Sequence, residues 1–224
     1  MCGRFTLVAP GEAIAELFQL VEVPSLVPRY NIAPTQPVAA VRLSPSSGAR
    51  ELTYFHWGLI PRWAKDPKIG SRMINARSET AAEKPSFRSA FKYRRCLVPA
   101  DGFYEWQKIN GRKQPIRIQM KGGRPFAIAG LWEHWLSSDG SEIESCTLLT
   151  TEPNDLLGPV HNRMPVLLDP TDFDLWLGAK TYQGADVQQL MRPFSDEEMT
   201  FYPVSTHVNN PRNEDPHCIE PLSG

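Results

Sequence analysis

The sequence predicts one α+β domain whose core is a curled, mostly antiparallel, barrel-like β-sheet flanked by short helices. Three observations predict it. Short strand-like segments recur from residue 38 to residue 204, and the helical patches between them are brief. The 21 prolines among 224 residues, roughly twice the average usage, leave little room for long helices and exclude a helical bundle.

In chain order, residues 10–20 place Ala13, Ile14, Leu17 and Phe18 at helical spacing, with Pro10 tolerable in a first turn. Residues 38–43 and 51–57 read as two strands joined by the loop Ser44-Pro45-Ser46-Ser47-Gly48. Short helices are expected at 78–84 and 86–91. Strand signals then follow at 96–98, 102–107, 116–120, 126–132, 146–151, 166–168 and 201–204; Ile116, Ile118 and Met120 alternate cleanly. Further helices are expected at 170–177, after Asp169 as N-cap, and at 186–192. No repeat or linker divides the chain, so residues 2–212 are read as one domain and 213–224, polar and proline-containing, as a surface tail.

A hydrophobic fraction of 41% with 22% charged residues is that of a globular protein rather than a disordered one. The longest apolar run, 126–132, is far short of the roughly 18 residues of a membrane span. A soluble cytoplasmic protein, nucleoid-associated in a bacterium, is therefore expected, acting as a monomer away from membranes. Four cysteines without CxxC spacing are read as reduced thiols. His207, His217 and Cys218 lie close in sequence, but their spacing fits no common zinc pattern, so neither metal nor cofactor is expected.

The net charge of -1 conceals an asymmetry. Residues 1–132 hold 20 Lys and Arg against 9 Asp and Glu; residues 133–224 hold 4 against 16. Ten basic residues fall between Arg62 and Arg95 with only three acids. Such a window is either a solvated face or a phosphate-binding groove, and Trp57, Trp63 and Trp106 lie near enough in sequence to serve as stacking platforms for single strands.

Cys2 directly follows the initiator Met1. Removal of Met1 would leave an α-amine and a thiol on neighbouring carbons, a 1,2-aminothiol. An α-amine with a pKa of about 7.7–8.0 is a usable nucleophile near neutrality, whereas a lysine at about 10.4 is not. Its attack on an aldehyde gives a Schiff base, and ring closure by the thiol gives a stable thiazolidine. Asn75, Glu105 and His161 stand in polar or turn-rich settings from which they could assist; each also has a plain reading, as a helix cap, an outward strand carboxylate and a turn residue.

The blocks Met1-Cys2-Gly3-Arg4-Phe5, Tyr30-Asn31-Ile32-Ala33-Pro34-Thr35, Trp57-Gly58-Leu59-Ile60-Pro61, Ile74-Asn75-Ala76-Arg77-Ser78-Glu79-Thr80, Pro99-Ala100-Asp101-Gly102-Phe103-Tyr104-Glu105-Trp106 and His161-Asn162-Arg163-Met164-Pro165 resemble, in order, the SOS-response-associated peptidase (SRAP) family. The resemblance runs from residue 2 to about 206. It implies a DNA-damage protein that senses abasic sites in single-stranded DNA and crosslinks to them through Cys2. On the same resemblance, Asn75 orients the reacting terminus, Glu105 acts as acid or base near the amine, and His161 assists opening of the sugar ring and proton transfer. Arg4, Arg77 and Arg163 match positions expected to hold the DNA backbone, and Trp106 one that lines the site. Two alternatives stay open: a cysteine peptidase, cleaving itself or others through Cys2, and a non-covalent binder of single-stranded DNA; lyase-type strand cleavage by β-elimination from the Schiff base is a related variant that thiazolidine closure should suppress.

Overall fold

In the computed structural model, residues 2–178, 181 and 184–222 are described. Along the chain run β1 (Phe5–Leu7), α1 (Gly11–Phe18), β2 (Arg29–Ile32), β3 (Pro37–Leu43), β4 (Arg50–Trp57), β5 (Asn75–Arg77), α2 (Ser78–Ala81), α3 (Arg88–Tyr93) and β6 (Arg95–Ala100). There follow β7 (Gly102–Ile109), β8 (Arg112–Met120), β9 (Phe126–Leu136), β10 (Glu142–Thr151), β11 (Met164–Pro165), β12 (Leu167–Leu168), α4 (Phe173–Leu177), α5 (Ala185–Gln188) and β13 (Met199–Pro203).

Strands β10, β4, β3, β6 and β9 pair in that order, and β9 pairs back onto β10, which closes a five-stranded barrel. Closure removes the free edges an open sheet would expose. The barrel is mixed, because β4 and β5 both join β10 in parallel while its other pairings are antiparallel. A second sheet, β13-β8-β7-β1-β2, is antiparallel throughout.

Phe5 on β1 and Trp57 on β4 tie the two sheets together, both buried, with ring centroids 5.2 Å apart in an edge-on arrangement. Fully burying a phenylalanine is worth about 2–3 kcal/mol, and here it also fixes where the N-terminal strand crosses the barrel. Asp101 completes the anchor. Its carboxylate accepts from Thr6 Oγ1, from the backbone N–H of Val8 and, at 2.7 Å, from that of Ala9, and it pairs with Arg117 at 3.2 Å in a dry setting. The Arg117 guanidinium lies over Gly102, where a Cβ would stand 2.7 Å from it, so a larger residue would push the guanidinium off its bonds to Asp101 and Thr6.

Every expected strand falls on an observed one, and the helix at 10–20 is α1. The helix expected at 78–84 shortens to α2, and the one at 170–177 begins as a 3-10 turn at Pro170–Asp172, with Asp169 accepting from Thr171 N as its N-cap. Strands β1, β2, β5 and β11 are additions, each two to four residues long and too short to carry a period.

The expected surface tail requires correction for its described residues. Glu214 accepts from Asn31 N at 2.8 Å and from Tyr30 N, and it forms an ion pair with Arg29 at 2.9 Å. Cys218 is fully buried in a cluster with Tyr104, Val204 and Val208. Polar composition misled here because the segment is held through its backbone and carboxylates, which leave no hydrophobic period.

Candidate functional site

Cys2 lies just ahead of β1 and is fully buried. Asn75, at the start of β5, donates from Nδ2 to the Cys2 carbonyl at 2.8 Å. The parallel pairing of β5 with β10, Asn75 opposite Leu148, carries this side chain to the N-terminal strand. Its other atom, Oδ1, is buried and has no partner among the described residues.

Glu105 is on β7, 4% exposed. Burial raises its carboxyl above the usual carboxylate range, against the pull of the chain's amino-terminal charge and of His161. Burial, and after it the Glu105 charge, pushes the Cys2 thiol up, so it stays protonated at neutral pH. Its described hydrogen bond, from Sγ to Arg4 O, is long at 3.9 Å.

His161 precedes β11 and is half-buried. Its Nδ1 stands 3.0 Å from Arg163 N and 3.2 Å from Arg163 O. A neutral ring accepts from that N–H, and a protonated ring donates to that carbonyl, so either protonation state has a partner within one residue. Asn75 from β5 thus touches Cys2, Glu105 from β7 acts on its thiol, and His161 from the loop before β11 acts on Glu105.

The DNA-facing expectations divide. Arg77 is exposed at the end of β5, with no hydrogen bond or ion pair among the described residues. Arg4, by contrast, is held inward: Nη1 donates to Asn31 Oδ1 at 2.7 Å and Val208 O at 2.8 Å, and Nη2 to Asn209 O at 3.2 Å. Arg163 makes a fork-like ion pair with Glu79, at 2.6 and 2.9 Å, and reaches Thr150 O. Trp106, half-buried, donates from Nε1 to Asn209 Oδ1 at 2.7 Å, with the Arg4 guanidinium carbon 5.8 Å from its ring centre.

Of the ten basic residues between Arg62 and Arg95, eight are exposed; Arg94 pairs with Glu133 and Arg95 is buried against Trp176 O. Trp63, 59% exposed, lines a cavity of about 380 Å³ with Lys65, Lys68 and Arg72. Trp57 is a core residue that donates to Ile74 O and is no stacking platform.

Sequence reasoning missed Asn31. It is fully buried, and its Nδ2 donates to Val208, Asn210 and Asn213 carbonyls at 3.1, 3.0 and 2.8 Å while its Oδ1 receives Arg4. An asparagine in a short strand carries no sign of this; its place in the Tyr30-Asn31-Ile32-Ala33-Pro34-Thr35 block was the available signal. Among the described residues the one group of metal-type ligands lies away from Cys2, at His207, Asp215 and Cys218. No helix is long and apolar enough to cross a membrane.

The chain is similar over most of its length to known proteins. The profile of the family described as SOS response associated peptidase (SRAP) matches residues 1–211. The abasic site processing protein YoqW of Bacillus subtilis is 43% identical over 98% of this chain and 99% of its own length. The abasic site processing protein HMCES of Xenopus tropicalis is 36% identical over 86% of this chain and 65% of its own. A protein of known structure from Bacteroides thetaiotaomicron superposes with a TM-score of 0.83 at 27% identity, covering 99% of this chain and all of that one. With the family profile matched over residues 1–211 and a relative 43% identical over nearly the whole of both chains, the chain belongs to the SRAP family.

Proposed function

We propose that this protein processes abasic sites in single-stranded DNA by linking itself covalently to them through Cys2 once Met1 has been removed. The observation that carries the proposal is a buried cysteine next to the chain start, held by Asn75 and faced by the buried Glu105 carboxyl, on which His161 in turn acts. The relatives named as abasic site processing proteins support the substrate.

Hydrolysis of the Met1-Cys2 bond frees the Cys2 amine; a peptide nitrogen is no nucleophile. The neutral amine attacks the C1′ aldehyde of the ring-opened deoxyribose and forms a carbinolamine. His161 opens the hemiacetal and protonates the departing hydroxyl, so that one water leaves and an imine remains. Glu105 takes the proton the amine sheds. The Cys2 thiol then adds to the imine carbon, and its proton passes to nitrogen, closing the thiazolidine. Asn75 holds the Cys2 carbonyl while these bonds change. Arg77 and the exposed basic residues between Arg62 and Lys92 supply the phosphate-binding surface for one strand, the protein acting as a monomer.

A peptidase working through a Cys2 thiolate is the weaker reading, because burial keeps that thiol protonated and no described base bonds to it. Intact-mass spectrometry with a single-stranded oligonucleotide bearing one abasic site tests the proposal. The expected product is a heat-stable adduct of Met1-less protein and DNA, less one water, absent from Cys2→Ala. Met1-less protein that forms no adduct would overturn it.

A further inference from the structure

The structure assigns a second site to this chain: a binding site for a borderline-soft divalent cation of the zinc type, formed by His207, Asp215 and Cys218. The sequence reading excluded a metal on spacing, and it paired Cys218 only with the two histidines. Folding adds the missing ligand. One imidazole nitrogen, one carboxylate oxygen and the Cys218 sulfur all lie within 4.8 Å of one another.

Their chemistry fits that cation class. A thiolate, an imidazole and a carboxylate are the donor types that hold tetrahedral zinc. His207 Nε2 stands 2.9 Å from Asp215 Oδ2, a hydrogen-bond distance that would open to about 3.3 Å with both atoms on one tetrahedral ion. His217, mostly exposed, reaches the other Asp215 oxygen from Nδ1 at 3.0 Å, and its ring centre is 6.1 Å from that of His207. It stands outside the group of three, and a fourth position is left to solvent. The far nitrogen of His207 faces the Asn213 amide at 3.1 Å, where ligating histidines keep the partner that orients the ring. With a cation on Nε2 the proton sits on Nδ1, so the Asn213 amide, which also donates to His207 O at 2.7 Å, must move away from the ring.

The ligands come from two short 3-10 turns, Thr206–Asn209 and Pro216–Cys218. The first turn carries Val208 and Asn209, whose carbonyls hold Arg4, and the Asn209 side chain that holds Trp106. A cation joining the turns would fix the C-terminal segment against the strand that leads to Cys2. Partial exposure of His207 and Asp215 leaves an entry path.

Cobalt(II) titration of the purified full chain, followed by absorption, tests the assignment, because only a bound thiolate gives a sulfur-to-cobalt charge-transfer band. One equivalent with that band is expected in the wild type and in Cys2→Ala, which removes the competing aminothiol. Cys218→Ala should lose the band. Asp215→Asn, which spares the buried thiol, should weaken binding by more than the roughly 10–100-fold that loss of an orienting partner costs. Zinc alone should displace the cobalt and raise the Tm of the wild type but not of Asp215→Asn. A wild type without the band, a band lost with Cys2→Ala, or affinity unchanged in Asp215→Asn would overturn the assignment.

Discussion

The two sides that flank Cys2 differ in how fully their polar groups are used. On the β7 and C-terminal side, Arg4, Asn31, Trp106 and Glu214 spend their hydrogen bonds on one another and on backbone carbonyls. On the β5 side, Asn75 keeps a buried oxygen without a partner and Arg77 keeps an open guanidinium. Buried polar groups are ordinarily satisfied, so the saturated side reads as scaffold, and the proposed reaction places its substrate on the side where Asn75 and Arg77 keep open groups. Arg4 and Arg163, grouped with Arg77 by motif, belong in this respect to different classes: the first anchors the N-terminal strand and the second is occupied by Glu79.

The largest effect expected from breaking this contrast is on the scaffold. Asn31→Ala removes four hydrogen bonds from a fully buried side chain, including the one from Arg4, and should destabilise the fold by about 2–4 kcal/mol. Thermal or urea unfolding measures it; an unchanged midpoint would remove Asn31 from the scaffold.

Glu105→Gln sharpens the contrast through pH. Its carboxyl is raised in the fold above its ordinary 4.5, so the folded state binds the proton more tightly than the unfolded one, and stability falls as pH rises from about 4.5 through the raised value. The glutamine variant escapes that loss. Its Tm should exceed the wild type's at neutral pH, with the difference vanishing below about pH 4.5, while crosslinking slows. Equal Tm profiles across that range would contradict the burial of the charge.

The smallest expected effect is that of Arg77→Ala. It should leave Tm unchanged, weaken binding of single strands whatever their sequence, and reduce the slope of log affinity against log salt by about one. A slope equal to the wild type's would place the DNA path elsewhere on the basic surface.

The longer strands of both sheets were legible in the sequence because burial on one or both faces writes itself into alternation, as in 116–120 of the second sheet, or into apolar runs, as in 126–132 of the barrel. What could not be read is what brings distant pieces together. Nothing local in Asn75 says that a parallel pairing with β10 delivers it to Cys2, and nothing in Glu214 or Asp215 separates a structural carboxylate from a solvated one. Cys2, Asn75, Glu105 and His161 were legible as motif members. Their distances, and the division of the arginines into held and open, depend on long-range contacts that leave no periodic trace.

The claim that the two sides divide scaffold from reaction is tested most directly with Asn75→Ala, by measuring its crosslinking rate on saturating abasic single-stranded DNA together with its Tm. The account predicts a rate lower by about 100-fold, the cost of a misplaced reacting group, with a midpoint close to the wild type's. A variant that crosslinks at the wild-type rate, or one that loses rate only in proportion to lost folded protein, would contradict it.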